Sequence, residues 1–137
     1  MTVKVNPAAS GEEALPLLLI EDEPAVLDFV RTALHRYGYG CRTASSVLEG
    51  IRALEGGRFL GVISDMRTPG GVTGADVHAW ILANRPEMKS RLLFITGDTV
   101  NEDTMKVLND TGVPFIEKPF RVQELVSTVE KLFGRAK

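Results

Sequence analysis

The sequence predicts an α/β fold in which a doubly wound, five-stranded parallel sheet carries helices on both faces. Three observations lead there. Short apolar runs without polar alternation, such as Leu17-Leu18-Leu19-Ile20 and Leu92-Leu93-Phe94-Ile95, suit strands covered on both sides. Between the runs lie segments whose apolar residues repeat at helical spacing. The connections are short and rich in Gly, Pro, Asn and Asp, the residues that punctuate such alternation.

Residues 1–16 carry Asn, Pro, Ala, Ser, Gly and Glu without a sustained apolar period, and are expected to form a flexible leader or linker. The first strand, 17–20, stops at Glu21-Asp22-Glu23. Pro24 then suits a first helical turn, where its missing N–H costs nothing. Val26, Leu27, Val30, Ala33, Leu34 and Tyr37 recur at helical spacing until Gly38. A second strand is expected over 40–43. Ser46 and Glu49 have the spacing of a capping box for a helix through Leu54, with Val47, Leu48, Ile51 and Leu54 inward and Gly56-Gly57 as the stop. The run 60–65 ends in a lone Asp65, and Pro69-Gly70-Gly71 breaks it. Thr73 and Asp76 suggest another cap; Val77, Trp80, Ile81 and Ala83 form the inward face of a helix ending near Pro86. A fourth strand over 92–95 is closed by Thr96-Gly97-Asp98. A helix over 101–109 begins with Glu102 and Asp103, acids that the helix dipole favours there. A fifth strand is expected over 113–116, then a Glu117-Lys118-Pro119-Phe120 turn. The last helix, 122–133, turns Leu125, Val126, Val129, Leu132 and Phe133 inward.

The chain of 137 residues is one domain by size and can bury roughly two-thirds of its unfolded surface. Sixteen Lys and Arg against eighteen Asp and Glu give a net charge of -2, which supplies no footprint for nucleic acid or an anionic membrane. The single Cys41 excludes an internal disulfide and any cysteine cluster, as in a reducing compartment, and is expected to pack within a strand. The early run 17–20 is too short for a signal-peptide core or a membrane span. A soluble cytoplasmic protein is expected.

Right-handed crossovers with one reversal of strand order make the flavodoxin-like order 2-1-3-4-5 the expected topology. Strands one and three are then neighbours, and Glu21 and Asp22 should meet Asp65 at the carboxyl edge. Thr96 and Lys118 end neighbouring segments at the same edge. Taken singly, Asp65 reads as a turn opener, Thr96 as a strand-end hydroxyl and Lys118 as a solvated lysine. Together they have a chemical logic. Clustered carboxylates repel unless a cation lies between them, and Mg²⁺ favours a few carboxylate oxygens plus water and phosphate. Asp65 is then the candidate nucleophile toward phosphorus and Asp22 a metal ligand. Glu21 would act through a metal-bound water, while Thr96 and Lys118 would bind phosphoryl oxygens.

The segments LLLIEDEP, VISDMRTPGG, FITGD and FIEKPF resemble, in order and spacing, the signature segments of two-component response regulator receiver domains. The match spans about residues 17–133. The resemblance implies a receiver domain over 17–134 with a tail at 135–137. It implies Asp65 as phosphoacceptor, Glu21 and Asp22 as the acidic pair, and the Arg67 backbone carbonyl as a further Mg²⁺ ligand beside Asp65. Thr96 and Lys118 match the switch and phosphate residues, Pro119 the cis-peptide position, and Phe115 the rotating aromatic. Arg67 and Asp98 stand where the family flanks the path of hydrolytic water, a candidate water gate. Two departures stand out: Glu21 where Asp is commoner, and an additional residue in the loop before Gly74.

The function implied is a phosphoacceptor switch, not an enzyme with turnover beyond its own phosphorylation and slow autodephosphorylation. Its partners would be a histidine kinase or histidine phosphotransfer domain, and a downstream protein reading the face made by the fourth helix, fifth strand and last helix. A homodimer on that face is the other candidate. The wording also resembles receivers at the ends of hybrid sensor histidine kinases. Three other classes fit less well. A flavin carrier would want a Gly- and hydroxyl-rich loop where Glu21-Asp22-Glu23 stands. An Asp-dependent phosphatase would want an acid where Arg67 stands. A non-phosphorylated interaction module has no need to retain the acids.

Overall fold

The computed structural model describes residues 15–67, 73–97 and 100–134. Most of the expected leader, the tail at 135–137, the lengthened loop at 68–72 and Asp98 lie outside the described residues. Five strands run β1 Leu17–Ile20, β2 Cys41–Ala44, β3 Gly61–Asp65, β4 Leu92–Thr96 and β5 Phe115–Glu117. The α-helices between and after them are α1 Pro24–Arg36, α2 Val47–Gly56, α3 Gly74–Asn84, α4 Glu102–Thr111 and α5 Val122–Phe133. All described strand pairings are parallel, in the order β2-β1-β3-β4-β5, the expected flavodoxin-like arrangement.

Alternation along the strands divides the core. Leu18, Ile20, Val62, Leu92 and Phe94 face α2, α3 and α4, where Leu54, Val77, Ile81 and Leu108 meet them. Leu17, Leu19, Ile63, Leu93, Ile95 and Ile116 face α1 and α5 and pack on Leu34, Leu125, Val129 and Phe133. The inner strands are covered on both faces, which is why β1, β3 and β4 are buried along their whole length, whereas the edge strands β2 and β5 carry exposed positions.

Several boundaries and faces differ from the expectation. β2 is shifted one residue, to Cys41–Ala44. The second helix runs on to Gly56, and its Leu48 is exposed; Gly50 takes the inward position, pressed against Ile20. The Ser46 hydroxyl accepts the Glu49 N–H at 3.1 Å, but the Glu49 carboxylate accepts from Ser45 N at 3.0 Å, so the expected box is only half closed. Thr73 and Asp76 do form a full capping box. In α3, Trp80 is half-buried and Ala83 exposed, and Met88 from the 3-10 turn Pro86–Met88 fills the core instead. Tyr37 caps α1 and is exposed. Asn101 is the N-cap of α4, accepting the Thr104 N–H at 3.1 Å, and the helix continues to Thr111 because Gly112 ends it at φ 66°.

The amino-terminal edge of the sheet is tied to the end of α5. The Tyr39 hydroxyl donates to the Gly134 carbonyl at 2.6 Å. Arg91 Nη1 donates to the Leu60 carbonyl at 2.9 Å and reaches the Phe133 carbonyl at 3.5 Å. No helix among the described residues is long and apolar enough to cross a membrane.

Candidate functional site: an acidic cleft at the carboxyl edge

Register alone brings the acids together. Ile20 pairs with Ser64 across β1 and β3, and Asp65 pairs with Ile95 across β3 and β4. The residue following Ile20 is thus delivered beside Asp65, and the residue following Ile95 emerges on its other flank. Ligand oxygens of Glu21, Asp22 and Asp65 lie within 4.8 Å of one another. Glu21, Asp65 and Thr96 are buried, whereas Asp22 is exposed to solvent.

Lys118 closes the cluster from the end of β5. Its Nζ lies 3.2 Å from Glu21 Oε1, 3.5 Å from Asp65 Oδ2 and 3.6 Å from Glu23 Oε1. Its backbone N–H donates to the Thr96 carbonyl at 2.7 Å, fixing the two residues against each other. The Lys118–Pro119 peptide bond is cis, at the position the resemblance indicated. Burial works against the Lys118 charge, but Asp65, Glu21 and Glu23 outweigh it and raise its pKa.

The two buried carboxylates, Glu21 and Asp65, are held in the protonated direction. Burial pushes Glu21 up to about 7, with the Asp65 charge adding to it; the Glu23 N–H, which donates to Glu21 Oε2 at 3.1 Å, and Lys118 act against the rise. Asp65 is raised as well, because burial outweighs Lys118, the Arg67 backbone N–H and the Glu21 carboxyl, all of which favour its charged form. Among the described residues Glu21 Oε1 accepts no hydrogen bond of good geometry, although it is ion-paired with Lys118 Nζ at 3.2 Å. A buried anionic oxygen left short of a partner, beside two further carboxylates, is a donor set that a hard divalent cation satisfies.

The sign of the pH dependence follows. In the folded protein Glu21 takes up its proton near 7, but in the unfolded chain only near 4.5. Within that window the native state binds the extra proton, so metal-free stability falls as pH rises; Asp65 contributes in the same direction. In the presence of a chelator the thermal midpoint is expected to be lower at about pH 7.5 than at about pH 5.5, and millimolar Mg²⁺ should shrink that difference. Equal midpoints at the two pH values would contradict the assignment.

Other expected residues fall differently. Phe115 opens β5 and is 43% exposed, so its ring is turned to solvent and not packed into the sheet. The Arg67 side chain reaches α4, with Nη2 3.4 Å from the Thr104 hydroxyl. Asp98, the other half of the candidate water gate, lies outside the described residues. Glu23, the N-cap residue of α1, joins the site without any signal in the sequence beyond its place in the Glu21-Asp22-Glu23 run. Its contact with Lys118 depends on the lysine side chain reaching along the carboxyl edge, past the ends of β3 and β4, to the segment after β1.

Residues 17–130 match the family model for the response regulator receiver domain. The sensor kinase CckA of Brucella abortus is 28% identical over 134 residues, 96% of this chain and 14% of that protein. The response regulator SaeR of Staphylococcus aureus is 28% identical over 121 residues, 88% of this chain and 51% of that protein. The chain thus spans about half, or less, of these relatives. Among solved structures, the receiver domain of sensor histidine kinase PA1611 from Pseudomonas aeruginosa PAO1 superposes with a TM-score of 0.78 at 22% identity, covering 88% of this chain and 98% of that one.

Proposed function

Since the chain belongs to the response regulator receiver domain family of two-component signalling, we propose that it is a phosphoacceptor switch that takes a phosphoryl group onto Asp65 from a phosphohistidine donor. The observation that carries this reading is the meeting of Asp65 with Lys118 at 3.5 Å inside a cluster of three carboxylates. An Asp65 carboxylate oxygen attacks phosphorus; the bond from phosphorus to the donor imidazole nitrogen breaks, and an acyl phosphate forms. The imidazole leaves with the bonding pair and takes up a proton from solvent. Lys118 transfers its ion pairing from the carboxylates to a phosphoryl oxygen, and the Thr96 hydroxyl donates to another. Asp22, Asp65 and the Arg67 backbone carbonyl would hold Mg²⁺, with Glu21 reaching it through water. The bound ion would neutralise charge on the phosphoryl oxygens and relieve repulsion among the acids. The structural neighbour from P. aeruginosa is described with magnesium coordinated in its active-site cleft. The readout is a population shift in which Thr96 moves inward and Phe115 follows, changing the face made by α4, β5 and α5. A cytoplasmic setting suits the single cysteine. A downstream protein or a second copy would read that face, with nucleic acid and membrane playing no direct part.

The test uses Mg²⁺ and acetyl phosphate. An alkali-labile adduct that fails to form with chelator supports the reading. A folded protein that never forms an adduct refutes it.

The donor protein has a landing surface continuous with the cleft. A groove of about 490 Å³ borders Lys118 and Gly97 and is walled by Val26, Phe29, Pro119 and Phe120. Phe29 and Phe120 lie 5.9 Å apart between ring centroids, and Phe29 is 45% exposed. A histidine-bearing helix laid there would reach Asp65 while covering the exposed ring. Phe29→Ser is expected to slow transfer from the donor protein by about tenfold or more while leaving acetyl phosphate labelling within about twofold. Equal slowing of both reactions would instead place Phe29 in the chemistry or the fold.

A further inference from the structure

A further cavity, of mixed polar and apolar lining, lies at the opposite, amino-terminal edge of the sheet. It measures about 250 Å³ and is lined by Arg58, Arg85 and Arg91, with Glu87 as the acid and Phe59 and Met88 as apolar wall. These guanidiniums come from two segments, Arg58 before β3 and both Arg85 and Arg91 in the connection from α3 to β4. Such convergence is unlike a run of charge along one solvated helix. The chain as a whole has a net charge of -2, so three cations against one acid here run counter to the overall balance.

Among the described residues, neither Arg58 nor Arg85 has an ion pair or a side-chain hydrogen bond, and Glu87 pairs with neither. Arg85 is partly exposed and Arg58 is exposed, so neither fork is committed to a protein partner among the described residues. Arg91 is already oriented, because Nη1 is anchored on the Leu60 carbonyl at 2.9 Å. Its remaining N–H groups need no further ordering to meet a ligand. Guanidinium forks match the paired oxygens of phosphate. At about 250 Å³ the pocket has room for a phosphate group together with water or a small organic tail.

We propose that this cavity binds the phosphate group of a small phosphomonoester or free inorganic phosphate, independently of the acidic cleft. The test is titration of the whole protein with inorganic phosphate and, separately, glycerol 3-phosphate, in chelator, following backbone amide shifts. Saturable shifts at Leu60, Met88 and Arg91 are expected, weakened about tenfold by Arg58→Gln or Arg85→Gln, as for loss of one charge-assisted bond. Thermal midpoints and Asp65 labelling should remain unchanged in both variants. Tighter binding of glycerol 3-phosphate identifies an organic phosphate as the ligand, and tighter binding of inorganic phosphate the free anion; either supports the site. Shifts matched by sodium chloride at equal ionic strength, or equal affinity in a doubly substituted protein, overturn it. So does saturable binding of an acidic peptide without any phosphate binding, which would assign the patch to a protein partner.

Discussion

Asp65→Asn is expected to abolish phosphoryl labelling while raising the thermal midpoint of the metal-free protein. The amide oxygen is no match for a carboxylate as nucleophile, and loss of a nucleophile costs enzymes a factor on the order of 10⁴ or more. The stability effect has a separate origin. Asp65 is a buried carboxylate beside Glu21, and burial pushes both toward protonation. A neutral side chain of the same shape relieves the repulsion, and Lys118 keeps Glu21 and Glu23 as partners. The gain near pH 7.5 should be roughly 2–5 °C, with a shallower decline between pH 5.5 and 7.5 that does not vanish, because burial is the larger cause for Glu21. Lys118→Met should reverse the sign. It strips the cluster of its cation and should cost about 1–3 kcal/mol, at the low end because the lysine side chain is 20% exposed. Thermal melts of the three proteins in chelator decide the matter. A lower midpoint for Asp65→Asn would mean that the carboxylate is held more favourably than this account allows.

Gly61→Ala is expected to be among the most damaging single-methyl additions in the chain. A Cβ there would lie 2.7 Å from Cδ1 and Cγ and 2.8 Å from Cε1 of the Phe133 ring. Phe133 is buried at the end of α5, where Tyr39 and Arg91 hold the backbone, so the ring has little room to retreat. Overpacking of this kind costs about 1–3 kcal/mol, which for a domain of this length lowers the midpoint by roughly 4–12 °C. Phe133→Leu should be destabilising alone yet recover part of the loss in the Gly61→Ala background. A double-mutant cycle measures that coupling. Simple additivity would show that the ring is not what the methyl meets.

How far the sequence reveals this molecule depends on how local each cause is. Leu17-Leu18-Leu19-Ile20 is legible because β1 lies between two strands and under helices on both sides, so every position is apolar. The edge strand is harder to place. Val113 is buried and resembles the start of a strand, but Pro114 has no N–H to offer, and the ladder begins with Phe115 opposite Phe94. Asn109, Asp110 and Thr111 are weak helix formers, yet α4 runs through them, aided by the Lys106 to Asp110 ion pair at 3.2 Å and the Gly112 cap. The acids, Thr96 and Lys118 could be read because each ends a strand that parallel winding brings to one edge. The Glu23 contact with Lys118 and the Arg67 reach to Thr104 join segments far apart in sequence, and no local pattern announces them.

The grip of Tyr39 and Arg91 on the last turn of α5 has a mechanical corollary. Those contacts lie at the far end of the strands from the acids, so α5 is moored at its foot by hydrogen bonds and along its length by Leu125, Val126 and Val129 in the core. A rearrangement around Asp65 would tilt this helix like a lever on a fulcrum near Gly134. Its head, nearer Lys118, would move further than its foot.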